Sequence, residues 1–436
     1  MKQEIKARTS ARIQSTKRSL FQRIARILTH RLFFDVLFML VQIAVLAVMI
    51  LAFSQYFTYF YGICILLTVL AVIAIIARPS HPDYKIAWIV PIMAFPVFGG
   101  LLYLLFGGVR LSKRTRKRME RLTELQQETM GDGEAVLAAL PDGEESVKAQ
   151  SRYIARASLF PPHLDTQTWY YPTGEALYAR MLTELEQAEH SIFLEYFIIH
   201  PGVMWDGILE ILERKAAQGV DVRVLYDDIG CLFTLPKHYA KTLREKGIAC
   251  KVFNPFRPVI SLRLNNRDHR KICVIDGHTA FTGGVNLADE YINEIERFGH
   301  WKDGGICLRG AAVWNLTTMF LSTWNVDELE VEDFEQYRPN VYLPDPVPTD
   351  GLVQPFMDSP LDDEEVTVFI NLISRANHYI YLTTPYLIID HSMNEALCAA
   401  AKAGVDVRII TPHIPDKRRV FELTRAHYEP LVKAGV

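Results

Sequence analysis

RDHRKICVIDGHTAFTGGVN, residues 267–286, is the stretch whose reading decides the fold. His269 and Lys271 are two apart, so on a strand both side chains leave by one face. Asp276 has the opposite parity if the strand continues, so it need not join them. Gly283 and Gly284 let backbone approach closely, and Asn286 supplies a further donor. An imidazole can attack phosphorus and form a covalent phospho-enzyme. An ammonium beside it can hold a non-bridging oxygen through the transition state. His269 then needs a carboxylate or carbonyl to orient its other nitrogen. With 13 histidines in the chain, a bare His-x-Lys is expected about once by chance; the weight lies in the full spacing through Asn286 and in its surroundings.

Those surroundings are an alternation of helices and strands. ALYARMLTELEQAEH (176–190) and WDGILEILERKAAQG (205–219) have helical spacing, while SIFLEYFII (191–199) and VDVRVLYDD (220–228) read as buried strands. The order predicts an α/β fold with a largely parallel sheet. It then recurs. HSIFLEYFII (190–199) is echoed by HYIYLTTPYLII (378–389), and GVDVR begins at both Gly219 and Gly404, an offset of 185. A duplicated α/β unit building one site between its halves is the expectation. Asp227 and Asp228, at a strand end, suit either a turn or a site. Trp301 and Lys302 suit either packing or substrate contact.

His269-x-Lys271-x4-Asp276 followed by Gly283, Gly284 and Asn286 resembles the HKD motif of the phospholipase D superfamily. NNRDHRKICVIDGHTAFTGGVNLADEYIN, RFGHWKDGGICLRGAAVW, GVDVRVLYDDIGC and GGLLYLLFGG are similar to the bacterial cardiolipin synthases, the Gram-positive type in particular. The resemblance implies a duplicated phospholipase D-type α/β sandwich behind N-terminal transmembrane helices. It implies transfer of a phosphatidyl group from one phosphatidylglycerol to another, with glycerol released through a phosphohistidine. It assigns Asp303 to orient His269 and gives Asp276 a structural role in the motif. It implies no cofactor or metal. Phospholipase D-type hydrolysis, with water as acceptor, is the alternative from the same motif. Nucleic acid is not expected as a partner, because the catalytic region has no long basic run and the chain carries apolar segments of its own.

The family pairs two HKD motifs across a pseudo-twofold axis. No second His-x-Lys-x4-Asp occurs in this chain: His378, His413 and His427 do not fit. The step of 50 residues from Gly219 to His269, applied to Gly404, reaches about position 454, past Val436. The expectation is therefore a second half that is incomplete, with sheet left uncovered. Either a homodimer supplies a second His269, or the chain alone is an inactive membrane-bound fragment.

Composition adds the setting. Net charge is −3, but nine Lys/Arg lie within residues 1–31 and seven within 108–121, with one acid in each block. Between them run VLFMLVQIAVLAVMILAF (36–53), FTYFYGICILLTVLAVIAIIA (57–77) and IAWIVPIMAFPVFGGLLYLLF (86–106), none with a charge. Each matches the roughly 17–25 apolar residues that a crossing helix needs. The positive-inside rule puts both basic blocks in the cytoplasm, which three full crossings cannot satisfy. One segment is then re-entrant or interfacial, or the first two form one hairpin; the catalytic part is expected on the cytoplasmic side of the cell membrane, facing anionic lipid. Six scattered cysteines with no Cys-x-x-Cys predict reduced, mostly buried thiols, Cys273 among them. The organisation expected is a basic tail (1–31), membrane segments (32–107), a loop-rich linker (108–165), a first half with the motif (166–345) and a second half (346–436).

Overall fold

The computed structural model describes residues 57–78, 82–95, 129–131, 133–255, 267–328, 331–345, 347–348, 351–357 and 365–436, with scattered positions between 39 and 121. The basic tail, most of the run 36–53 and most of the stretch 108–128 lie outside the described residues. The chain divides into two compact units, Met1–Arg110 with Phe256–Asn265, and Leu111–Pro255 with Asn266–Val436.

In the first unit, α1 (Phe57–Ile76) is the one described helix long and apolar enough to cross a membrane, over Thr58–Ile76. Its apolar residues face all directions, as a span requires and a helix on a soluble core does not. The run expected at 86–106 behaves differently. It enters α2 (Pro82–Ala94), which is 13 residues long, has Asp83 in its first turn and carries Pro91. The helix stops two residues before Pro96, where the residue ahead of a proline resists the helical conformation. Three crossing helices are thus not seen among the described residues. Trp88 packs edge-on against Tyr103 at 5.4 Å, beside buried Ile75 and Ile92.

The second unit opens with α3 (Glu134–Ala138) and α4 (Glu145–Ser158), where a loop-rich linker was expected. Its main sheet holds β1 (Thr166–Tyr171), β2 (Ser191–Tyr196), β3 (Asp221–Asp227), β4 (Ala249–Phe253), β5 (Lys271–Ile275), β6 (Thr279–Gly283) and β7 (Gly305–Gly310), in the order β1-β7-β6-β5-β2-β3-β4. Helices α5 (Gly174–Glu186), α6 (Val203–Ala217) and α7 (Tyr239–Glu245) alternate with these strands. Only β2–β3 and β3–β4 pair in parallel; the other ladders are antiparallel. The expectation of a largely parallel sheet is corrected to a mixed one. β5 pairs antiparallel with β2, and β5 and β6 form a tight hairpin at Asp276-Gly277-His278.

Strand alternation divides two cores. Ile192, Leu194, Tyr196, Val222, Val224, Cys273 and Ile275 pack with α5, α6 and α7. Phe193, Leu225, Ile272 and Val274 face α8 (Val313–Asn325), where Phe193 stacks on Phe320 at 4.8 Å. Lys271 has the parity of Cys273, so it belongs to the first face. Five of the six cysteines are buried and none is bonded to another.

After α9 (Glu365–Arg375), strands β8 (Tyr379–Thr383) and β9 (Asp406–Ile410) pair in parallel across α10 (His391–Lys402), followed by α11 (Arg418–Ala426) and α12 (Tyr428–Ala434). The two GVDVR segments adopt one junction. Gly219 has φ 92° and Gly404 φ 96°. Val220 N–H donates to Lys215 O and Val405 N–H to Ala400 O, both at 3.1 Å. Arg223 lies 5.1 Å from the Phe193 ring and Arg408 5.2 Å from that of Tyr381. The first pair is covered by α8, whereas Tyr379, Tyr381 and Ile410 are exposed in the second.

Candidate active site

The motif forms where β5 begins. His269 lies in the extended lead-in and the strand itself starts at Lys271. The two side chains meet as the spacing predicts. The Lys271 ammonium stands 3.1 Å from His269 Nδ1 and 3.5 Å from Nε2, and donates to the His269 carbonyl at 2.5 Å. The imidazole rests against the Phe197 ring at 4.6 Å.

Burial, with help from Lys271 and Lys417, pushes the His269 imidazole down to about 4. Burial likewise lowers the Lys271 ammonium to about 8, against the opposing pull of Asp268 and Asp303. The imidazole therefore carries a free lone pair at neutral pH, while Lys271 is still largely protonated.

The residues beside His269 are anchored. Fully buried Asp227 accepts from the backbone N–H of Asp268 (3.1 Å), Ile229 (2.9 Å) and Gly230 (2.9 Å), so it ties the end of β3 to the motif's lead-in. Of the two readings for Asp227, the geometry is that of a turn. Arg270 contacts Asp268 Oδ1 at 2.9 Å and Glu195 Oε1 at 2.6 Å, and donates to Thr323 at 2.8 Å. Burial holds the Glu195 carboxyl well above the usual range. Burial also favours the neutral form of Asp268, but Arg270 outweighs it and its carboxyl is lowered. The spacing of the motif gave no sign of this buried Arg270–Glu195–Asp268 group, because its members point to the α8 side of the sheet.

Asp276 stands at the other end of β5, away from His269. Its carboxylate accepts from the backbone N–H of Glu189 (2.9 Å), His190 (2.7 Å) and Ser191 (2.8 Å), which fixes the start of β2. Asn286 is buried close to the motif and bonded on both sides of its amide. Its Oδ1 accepts from Ile198 N–H at 3.0 Å and its Nδ2 donates to Tyr291 Oη at 2.8 Å. These two bonds hold the chain after β2 next to the Tyr291 loop, and the second N–H of the amide is not used by either.

Asp303 also has partners other than His269. It accepts from Gly304 N–H at 2.8 Å and from Trp301 Nε1 at 3.4 Å. A Cβ on Gly284 would sit 2.2 Å from Asp303 Oδ1, so the second glycine of the pair makes the seat of this carboxylate. Trp301 packs on Tyr291 at 5.0 Å, and Lys302 donates to the Pro172 carbonyl. His300-Trp301-Lys302 is a second bare His-x-Lys, but Cys307 stands where the motif has Asp.

The segment after β9 also reaches this region. Ile414 Cδ1 lies 3.2 Å from where a Cβ on Gly299 would be. Tyr386 donates to Asp416, and the Lys417 ammonium lies 4.7 Å from the Tyr386 ring. Sequence reasoning did not single out these three residues. The only signal was the match of TTPYLII to EYFII, which places Tyr386 just after a strand, as Phe197 is.

Residues 181–296 and 369–436 match the family described as cardiolipin synthase, PLD-like domain, and residues 66–108 match the one described as phospholipase D-nuclease N-terminal. A protein of Streptococcus mutans is 42% identical over 80% of this chain and 76% of its own length. Cardiolipin synthase of Alkalihalophilus pseudofirmus is 35% identical, covering 82% of this chain and 71% of that protein. Cardiolipin synthase of Geobacillus is 34% identical over 81% and 71%. Identity at this level over most of both chains leads to one conclusion: the chain belongs to the cardiolipin synthase family of phospholipase D-like proteins.

Proposed function

We propose that this protein is a membrane phosphatidyltransferase that joins two phosphatidylglycerol molecules into cardiolipin, with His269 as nucleophile. The observation that carries the reading is the imidazole of His269, neutral at physiological pH, with an ammonium 3.1 Å from its ring nitrogen. In the first step a His269 nitrogen attacks phosphorus and the bond from phosphorus to the headgroup glycerol oxygen breaks. Glycerol leaves with a proton taken from solvent. In the second, a hydroxyl of another phosphatidylglycerol attacks, the P–N bond breaks, and the hydroxyl proton passes to solvent, so the two steps balance. Lys271 holds a non-bridging oxygen as charge builds on it. Asp303 and Asn286 act as positioning residues, through Gly284 and the Tyr291 loop, and Asp276 is structural, holding the start of β2.

Two further proposals complete the reading. The common GVDVR junction supports a duplicated unit, 166–345 and 346–436. The apolar α1 supports attachment to the bilayer that holds both substrates. Membranes carrying the protein and labelled phosphatidylglycerol test the chemistry. The wild type forms cardiolipin and free glycerol, and His269→Ala forms neither. Unchanged lipid turnover in His269→Ala membranes would defeat the enzyme reading, and phosphatidic acid as the product would favour hydrolysis.

A further inference from the structure

We propose that Glu195 is a positioning residue for the reaction at His269, acting as a neutral carboxylic acid that shares one proton with Asp268 beside the Arg270 guanidinium. That the reaction is phosphatidyl transfer rests on the reading above; the shared proton does not.

His269 and Lys271 leave the extended lead-in to β5 by one face, so Asp268 and Arg270 leave it by the other. Glu195 stands opposite Ile272 in the β2–β5 ladder and faces α8, as Phe193 does. The Arg270 guanidinium lies 2.9 Å from Asp268 Oδ1 and 2.6 Å from Glu195 Oε1. Two carboxyl groups thus meet one cation. The next charged pair on this side, Asp227 and Arg267, is 3.4 Å apart, and Asp227 is also held by three backbone N–H groups. α8 brings no charge at all. Glu195 has no exposed surface, and neither of its oxygens accepts an aligned hydrogen bond, close as Arg270 is. An ionised carboxylate so placed is costly, because its one cation is already bonded to Asp268. Protonated, the same group gains an O–H donor for Asp268, and Arg270 with Asp268 then balance each other. The proton affinities agree with this division. Burial raises Glu195, whereas on Asp268 burial is outweighed by Arg270 and by the hydrogen bond from Glu195.

What this group positions follows from the chain itself. Arg270 is the residue between His269 and Lys271, and its side chain is pinned by Asp268, Glu195 and, at 2.8 Å, Thr323 of α8. Asp268, just ahead of His269, is tied by its backbone N–H to Asp227 at 3.1 Å. With both neighbours fixed behind the sheet, the imidazole in front is held against Phe197 and beside the Lys271 ammonium.

Urea unfolding of the full-length protein in detergent micelles, repeated between about pH 5 and 8, tests the proton. A carboxyl that ionises near 4.3 in the unfolded chain and stays protonated in the fold makes folding take up a proton, so its stability is lost as pH rises. Glu195→Gln copies the neutral acid and takes up none. The folded-to-unfolded ratio of the wild type is expected to fall against that of Glu195→Gln by up to about tenfold per pH unit. Positioning is read on His269 by acylation with diethyl pyrocarbonate against pH, followed by mass spectrometry of its peptide. In the wild type acylation persists well below pH 6.5. In Glu195→Leu its midpoint moves toward 6.5 as the imidazole leaves its seat beside Phe197. There kcat for transfer falls about tenfold with KM little changed, as loss of a hydrogen bond entails, and Glu195→Gln restores both readouts. The proposal is overturned if Glu195→Gln fails to fold, if its stability follows pH as the wild type's does, or if Glu195→Leu behaves as wild type. Should Glu195→Leu not fold, Glu195→Met takes its place. Unfolding and acylation need no turnover, so this proposal and the transfer reading fail separately.

Discussion

Burial and two ammonium groups lower His269 to about 4 and burial lowers Lys271 to about 8. For the transfer reaction this sets both limbs of the pH profile. The nucleophile is lost when His269 protonates, and the oxyanion partner is lost when Lys271 deprotonates. The rate is expected to hold between about pH 4 and 8 and to fall on either side, measured with detergent-dispersed phosphatidylglycerol. Lys271→Arg should carry the alkaline limb upward, since a guanidinium does not titrate there. An acid limb at the ordinary histidine value near 6.5 would refute this account of His269. The same shifts have a stability sign. Below pH 6.5 the unfolded chain binds a proton at His269 that the folded one refuses, so this residue makes the fold less stable as pH falls from 6.5 toward 4. Lys271 acts in a higher window. Between about 8 and 10.5 the unfolded chain keeps a proton that the folded one has lost, so stability rises with pH there.

At the scale of elements, β5 separates two tasks. Its first end carries His269 and Lys271, and its last residue leads into Asp276, which accepts three backbone N–H bonds at the start of β2. Removing that carboxylate leaves buried donors unsatisfied, a cost of about 1–3 kcal/mol per group. Asp276→Ala is expected to lower the unfolding midpoint in a urea titration, with Asp276→Asn lowering it less. Turnover per folded molecule should stay near wild type; selective loss of turnover with an unchanged midpoint would move Asp276 into the chemistry. Which elements were legible in the sequence follows from the same physics. α6, β2 and β3 announce themselves because a helix–glycine–strand junction changes the apolar period from 3.6 to 2 at Gly219. The antiparallel arm β1-β7-β6 does not. Its strands are five or six residues long, and their partners are chosen by a hairpin and a long return that no local pattern encodes. α4 was read with the polar linker because most of its residues are polar or charged, and the face it buries holds Gln150 and Ser151 along with Ile154. In the site, the His269–Lys271 pair was legible from parity alone. The partners of Asp303 and Asn286 were not, since they depend on loops that approach from other parts of the chain.

For the whole molecule, both substrates of the proposed reaction lie in a bilayer, and the protein carries one described helix, α1, suited to cross it. Its native cysteines make this testable without added probes. Cys64 is the one thiol of the six that is not fully buried by the protein. It lies seven residues into α1, about 10 Å along the axis at 1.5 Å per residue. That depth is inside the hydrocarbon of a bilayer whose core is about 30 Å thick. A reagent confined to water does not reach a thiol at that depth. In native membrane vesicles opened to both sides, a membrane-impermeant maleimide should therefore leave the whole protein unlabelled: five thiols shielded by the fold and Cys64 by lipid. After denaturation in dodecyl sulfate, all six should react. Rapid labelling of Cys64 in the untreated vesicles would mean that α1 faces water, and attachment would then have to come from another part of the chain.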